Sequence, residues 1–155
     1  MSDYINIVKS NPTAGATDGT VVSEDELQTS PISFALNATE EEVGVQKLAI
    51  RCKSKYKTVD ATTTKLTFEK YDASTKKYAA CSDADQLHYW LAPDENFADE
   101  SAAKASTKWA HSLNITDCVT DTNMIFWCKC DSSKTETPSN DTSISLTVNA
   151  NIIAQ

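Results

Sequence analysis

Glycine and proline are scarce in this sequence, at 3 and 4 residues among 155. This composition argues against a linker-rich or low-complexity chain, and the length fits a single domain spanning residues 1–155. Three glycines are too few for the loops that cradle phosphates in nucleotide-binding proteins. The hydrolase motif GxSxG and the zinc-protease motif HExxH are also missing. We therefore predict a non-enzymatic protein with no catalytic residues and no cofactor.

Positively charged residues are also few: the chain has 14 Lys and Arg against 22 Asp and Glu, which gives a formal net charge of −8. Phosphate binding requires clustered Lys and Arg, so this balance argues against a nucleic-acid partner. No apolar run approaches the ~20 residues of a membrane-spanning helix, and no membrane partner is expected. The first ten residues lack the basic start and apolar core of a signal peptide. We therefore expect the protein to fold in a reducing cytoplasm.

The cysteines are few and odd in number: Cys52, Cys81, Cys118, Cys128 and Cys130. In a reducing compartment this count predicts five thiols that pack as small apolar side chains. Two of them stand at positions 128 and 130, where a strand would point both toward one metal ion. A structural zinc site needs four ligands, and the remaining His and Cys residues show no second paired spacing. Buried thiols are the favoured interpretation, and no metal is predicted. His88 and His111 are the other potential ligands, and His111 is interpreted as a half-buried strand residue.

What the sequence does contain is apolar alternation with a period of two. It is clearest near the C-terminus, where Ser, Thr and Asn separate Ile144, Leu146, Val148, Ala150 and Ile152. That spacing puts the apolar side chains on one face of a strand. An apolar run from Asn123 precedes it, and the gap between the two runs has turn residues. We predict that the two runs pair as an antiparallel hairpin that closes a β-domain.

Earlier runs of the same kind predict strands at about residues 4–8, 31–38, 43–54, 62–70 and 109–115. In the third of these, Leu48, Ile50 and Cys52 are expected to face the core, and Gly44 is interpreted as a β-bulge. Polar turns separate the runs, and no alternation of strands with helices is evident. This pattern predicts an all-β fold, an Ig-like antiparallel β-sandwich with Greek-key connections.

Residues 79–108 lose the alternation, and about thirty residues is long for a loop in a small domain. We predict an irregular or partly helical insertion between strands, with a short helix near Asp99–Ser106. Aromatics in such a segment either anchor it to the sandwich or contact a partner. The partner-binding candidates are Tyr89, Trp90, Asp94, Glu95, Phe97, Asp99 and Glu100. If they bind a partner, replacing Asp83–Ser106 with a short Gly/Ser linker should leave a cooperatively folded sandwich but greatly weaken attachment to that partner.

Three segments carry a resemblance to a known class of proteins: INIVKSNPTAGATDGTVVS, QKLAIRCKSKYKTV and TNMIFWCKCDSSKTETPSNDTSISLTVNANI. They resemble small Ig-like β-sandwich proteins encoded in the virion-structure regions of tailed bacteriophages and prophages. The resemblance covers about two thirds of the chain and includes no active-site motif. It implies a structural protein of the particle, either a capsid decoration protein or a tail component. It carries no functional residues over to this chain.

The resulting expectation is a virion protein that is made in the cytoplasm of a bacterial host and binds the assembled head lattice. Its partner would be the major capsid protein or another virion protein, and a homo-oligomer is a further option. The alternative function is a carbohydrate- or receptor-binding module that uses Tyr89, Trp90 and Trp109 as stacking surfaces.

Overall fold

The structure, a computed structural model, describes residues 4–23, 29–82, 88–132 and 142–155. The described residues form eleven strands and one short helix. In chain order these are β1 Ile5–Lys9, β2 Thr20–Val21, β3 Val43–Cys52, β4 Tyr56–Thr58, β5 Thr64–Asp72, β6 Lys77–Ala80, β7 Tyr89–Pro93, α1 Glu100–Lys104, β8 Leu113–Ile115, β9 Met124–Asp131, β10 Ile144–Asn149 and β11 Ile152–Ala154. No helix in these ranges is long and apolar enough to cross a membrane.

Every pairing between the described strands is antiparallel. A five-stranded sheet has the order β2-β1-β3-β9-β7. A four-stranded sheet has the order β10-β5-β6, with β8 also pairing with β5, and β11 pairs with β4 in a small third sheet. The all-β class predicted from the alternation is therefore confirmed, whereas the Ig-like arrangement of the sandwich stays a prediction.

The two larger sheets share one hydrophobic core. The five-stranded sheet contributes Leu48, Ile50, Phe126 and Cys128 to it, and the four-stranded sheet contributes Leu66 and Phe68. The predicted inward set of the closing run also packs against this core: Ile144, Leu146, Val148, Ala150 and Ile152. The period of two thus assigned the buried face of that run correctly, although the run is divided between β10 and β11.

The predicted closing hairpin is wrong. Strand β9 pairs with β3 along one edge and with β7 along the other, whereas β10 pairs with β5 in the four-stranded sheet. Because β3 and β7 occupy both edges of β9, β10 cannot pair with β9. It lies in the four-stranded sheet instead. The turn predicted between the two runs lies largely outside the described residues.

The predicted strand at 31–38 is not part of a ladder, although its alternation is real. Ile32 and Phe34 pack against the main core. The backbone carbonyls of Pro31 and Ser33 instead accept hydrogen bonds from the side chains of Lys9 and Gln46. The neighbouring strand β3 already has β1 and β9 on its two edges, so no backbone edge remains there for this segment.

Gly44 is not a bulge, because β3 pairs with β9 in continuous register from Val43 to Ile50. The glycine is instead needed for close packing. A Cβ atom at this position would lie 2.9 Å from Cδ1 of Phe34 and 3.2 Å from Cδ2 of Leu36. The segment at 31–38 can therefore lie directly on the backbone of β3.

Gly44→Ala is expected to destabilise the fold by about 1–3 kcal/mol, because the added methyl group overpacks against Phe34. Denaturant unfolding would measure the change. In a double-mutant cycle, Phe34→Leu should recover part of the loss, because the smaller side chain leaves room for the methyl group. Strictly additive effects of the two substitutions would contradict this explanation of the glycine.

Candidate functional site: the outer face of the five-stranded sheet

The five-stranded sheet is buried on both faces along its central strands β3 and β9. Even-numbered residues of β9 face the main core, while Ile125 and Trp127 belong to a second buried cluster on the other side. Val45 and Ala49 of β3 join that second cluster. It is covered by Ala103, Phe97 and Trp109, all of which follow β7 in the chain. The continuous apolar run MIFWC in β9 is typical of a strand buried on both faces, and this signal was missed.

The predicted insertion at 79–108 is therefore only partly an insertion. Residues 77–80 form β6, and Tyr89–Pro93 forms β7 at the edge of the five-stranded sheet. Residues 83–87 lie outside the described ranges. The sequence of β7 does not alternate between apolar and polar residues, because Leu91 and Ala92 are both buried, one on each side of the sheet. Alternation therefore could not predict this strand. The rest of the segment, up to residue 110, folds over the outer face of the sheet, which is the face that carries the second buried cluster.

A short helix fixes this segment in place, as the sequence predicted. The Asp99 side chain caps α1 by accepting a hydrogen bond of 2.8 Å from the backbone N–H of Ala102. Trp109 Nε1 donates to the carbonyl oxygen of Ala103 at 3.1 Å. Leu91 and Ala110 then exchange two backbone hydrogen bonds, of 2.7 and 2.9 Å. The chain from β7 to Ala110 is thus closed against the sheet.

A row of three side chains, Lys129, Trp90 and His111, crosses the edge of the outer face. Lys129 is the register partner of Trp90, and the Leu91–Ala110 bridge places His111 opposite Trp90 on its other side. Lys129 Nζ lies 4.4 Å from the ring centroid of Trp90 and 5.0 Å from that of Trp109. The rings of Trp90 and His111 stack with their centroids 5.4 Å apart. Both flanks of Trp90 are therefore occupied by the protein itself.

The charges in and beside this row are held by specific contacts. Burial lowers the pKa of Lys129, and the carboxylate of Asp131 opposes that effect. The amine still lies where the negative faces of two indole rings stabilise its positive charge. His111 Nδ1 lies 2.7 Å from the carbonyl oxygen of Tyr89, so this nitrogen carries the hydrogen and donates it. His88 Nδ1 pairs with Asp131 Oδ1 at 2.7 Å.

The predicted aromatic binding residues lie on two different faces. Tyr89 points to the main core, where its ring packs against Phe68 at a centroid distance of 5.8 Å. Trp90 lies on the outer face, in the row just described. Phe97 packs edge-on against Trp127, with the ring centroids 5.7 Å apart. The aromatic residues thus anchor the segment to the sheet, which was one of the two interpretations of the sequence.

The predicted acidic residues form the outer rim of the same segment. The half-buried Asp94 accepts a hydrogen bond of 3.1 Å from Trp127 Nε1. Glu95 pairs with Lys108 Nζ at 2.7 Å, and this contact lowers the pKa of the Glu95 carboxyl, with help from Ser106. Glu95, Asp99 and Glu100 are exposed. Glu100 stands in the first turn of α1, where its negative charge favours the helix.

The five cysteines are thiols in the structure. Burial raises the pKa of Cys128 to about 12 and that of Cys52 to about 11. Across the described ranges, no group of three or more His, Cys, Asp and Glu side chains could hold a metal ion. Cys128 and Cys130 are both buried and share one side of β9, as their spacing predicted.

Alkylation of protein taken directly from cytoplasmic expression, under denaturing and non-reducing conditions, is expected to modify five thiols. The reason is the odd number of cysteines in a reducing compartment. Intact mass spectrometry would count the adducts. Recovery of three or one would show that a disulfide forms inside the cell, which would contradict the expected compartment.

Comparison of the chain with protein-family models, with curated proteins and with solved structures finds no match.

Proposed function

We propose that the protein is a non-enzymatic structural protein of a tailed-bacteriophage particle that decorates the head by binding the assembled lattice of major capsid protein. The resemblance of three sequence segments supports this class. The structural observation that carries the proposal is the outer rim, where Glu95, Asp99 and Glu100 are exposed on a segment fixed to a rigid sheet. Loops held by a rigid scaffold are where binding residues usually lie.

The rim, rather than the aromatic residues, is the proposed contact with the lattice. Phe97 and Trp109 are used to bury the outer face of the sheet, so they are not available as the centre of an interface. The chain carries a formal net charge of −8. An acidic rim on an acidic protein fits a basic strip on the partner, and contacts of this kind weaken as salt rises.

Charge reversal at Glu100 is expected to weaken attachment to the particle by roughly 3–10-fold, the range for losing and then opposing one exposed charge contact. Glu100 is the cleanest choice in the rim, because Glu95 pairs with Lys108 and Asp99 caps the helix. The measurement is co-sedimentation of purified protein with particles from a phage strain that lacks the gene. Glu100→Lys and the neutral Glu100→Gln should be compared at low and at high salt.

Glu41→Lys is the matched control, since Glu41 is an exposed acid that precedes β3, far along the chain from the rim. It should attach as the unchanged protein does. Thermal unfolding of each variant would separate a loss of binding from the small helix destabilisation that a lysine causes in the first turn. Equal attachment of all the variants would place the contact on another face, and attachment to isolated tails instead of heads would make the protein a tail component.

A carbohydrate- or receptor-binding function is the second candidate, because Trp90 and Trp109 are only half buried. It ranks below the first because sugars stack on an open aromatic face. Lys129 and His111 flank Trp90, and Tyr89 points into the main core. Saturable binding to a glycan array that Trp90→Ala abolishes, without a change in thermal stability, would favour this second function.

A further inference from the structure

Two cysteines that are far apart in sequence approach the same backbone oxygen. Cys52 Sγ lies 3.5 Å from the carbonyl oxygen of Val119. Cys118 Sγ lies 4.0 Å from that same oxygen and 3.2 Å from the carbonyl oxygen of Thr58. The separation of the two sulfur atoms therefore cannot exceed the sum of their distances to the Val119 oxygen.

The backbone around this pair is held on two sides. The N–H of Cys52 donates to the Thr120 carbonyl at 2.7 Å, and the N–H of Thr58 donates to the Val119 carbonyl at 2.9 Å. Val119 N–H in turn donates to Thr58 Oγ1 at 2.8 Å. Residues 118–120 thus bridge the end of β3 and the end of β4.

The two thiols differ in access. Cys52 ends β3 and is buried, whereas Cys118 is half buried in a stretch, residues 116–123, that has neither helix nor strand. A disulfide needs a sulfur–sulfur bond of about 2 Å and Cα atoms within roughly 7 Å. Bond formation therefore requires rotation of the Cys118 side chain and a shift of the backbone in the irregular stretch that carries it.

We propose that Cys52 and Cys118 form a reversible disulfide when the protein leaves a reducing environment and meets a small-molecule disulfide oxidant. This inference does not depend on the proposed function. The bond would tie the end of the central strand β3 to the connection between β8 and β9. It would therefore close the chain between residues 52 and 118 and restrict the unfolded state.

The chemistry is two successive thiol–disulfide exchanges. The thiolate of Cys118, the more accessible residue, attacks one sulfur of the oxidant and releases one small thiolate. The thiolate of Cys52 then attacks Cys118 Sγ and releases the second, so that two protein thiols are oxidised and one small disulfide is reduced to two thiols. Burial and the neighbouring Cys118 and Asp121 raise the pKa of Cys52 to about 11. The second exchange should therefore be the slower one near neutral pH and should accelerate as the pH rises.

The test is to incubate the purified, reduced protein with oxidised glutathione at pH 8 and map disulfides by differential alkylation and peptide mass spectrometry. A cross-linked peptide joining Cys52 and Cys118 is expected, with the other three cysteines still alkylated. The melting temperature should rise by roughly 10 °C, as expected for closing a loop of this length. A reducing agent should restore both the thiol count and the original melting temperature.

Cys81→Ser is the matched control, because Cys81 is half buried like Cys118 and packs against the main core to which Cys52 belongs. It should still form the bond, whereas Cys118→Ser should show no oxidant-dependent rise in melting temperature. Stable glutathione adducts on Cys118 without closure, or a bond between any other two cysteines, would overturn the proposal. The peptide map is made on the unsubstituted protein. The proposal can therefore be tested even if one of the variants fails to fold.

Discussion

Replacing Asp83–Ser106 with a short Gly/Ser linker is expected to abolish cooperative unfolding. The described part of this range contains β7, which forms the edge of the five-stranded sheet and pairs with β9. It also contains Phe97 and α1, which cover Trp127 and Ile125 on the outer face. We expect the removal of an edge strand and the exposure of the second cluster together to exceed the 5–15 kcal/mol of net stability typical of a domain. This result is opposite to the one expected while the range was interpreted as an insertion.

Circular dichroism and thermal unfolding would decide between the two outcomes. A matched control replaces the exposed turn at residues 73–76 with Gly and Ser, and it should retain one cooperative transition. A linker variant that melts cooperatively near the original temperature would show that β7 and α1 are dispensable. In that case the segment would again become the leading candidate for a partner-binding insertion.

The fold class and the core-facing residues could be predicted because both depend on local spacing. Side chains two apart on a strand share a face whatever the strand pairs with. Leu48 and Ile50 are therefore buried as predicted, and the closing run faces the core even though its pairing was wrong. The short helix was also accessible from local signals, since Asp99 supplies a cap and the residues after it favour a helix.

Strand pairing could not be predicted, because it depends on which edges other strands already occupy. Asn123 shows how distant the decisive contacts are. Its side chain donates to the Thr13 carbonyl at 3.1 Å and to Asp18 Oδ1 at 2.8 Å, and it accepts a hydrogen bond from Arg51. These partners are separated from it by about half the chain or more, and no spacing in the sequence links them.

The sequence predicted which residues share the candidate segment, but it could not predict the contacts that they make within the protein. The aromatic and acidic residues of this segment do lie in one region, but most of their contacts are within the protein. Trp127 explains the difference, because a tryptophan on the outer face of β9 must be covered. Phe97, one of the predicted binding residues, provides that cover together with Ala103 and Trp109. The proposed contact is therefore assigned to the exposed acids Glu95, Asp99 and Glu100, and this is why the proposed attachment depends on charge.

Phe126→Ala and Trp127→Ala are each expected to destabilise the protein by about 3–5 kcal/mol, although the two residues are adjacent on one strand. In a sheet with one solvated face, neighbouring residues point to opposite environments, and only one of them should matter. Here Phe126 is 0% exposed in the main core and Trp127 is 4% exposed in the second cluster. Trp127→Ala would also leave the half-buried Asp94 without its indole partner. Urea unfolding at equilibrium would measure both changes.

The control is Thr147→Ala on β10, which faces away from the main core beside its register partner Thr67. It should cost under ~1 kcal/mol, as for an ordinary surface change. Because Phe126 and Trp127 lie in separate clusters, a large loss from one does not imply a large loss from the other. If Trp127→Ala lowers the free energy of unfolding by less than ~1 kcal/mol while Phe126→Ala lowers it by about 3–5 kcal/mol, the outer face is solvated. The segment after β7 would then be free of the sheet, and its aromatic residues would again be available to a partner.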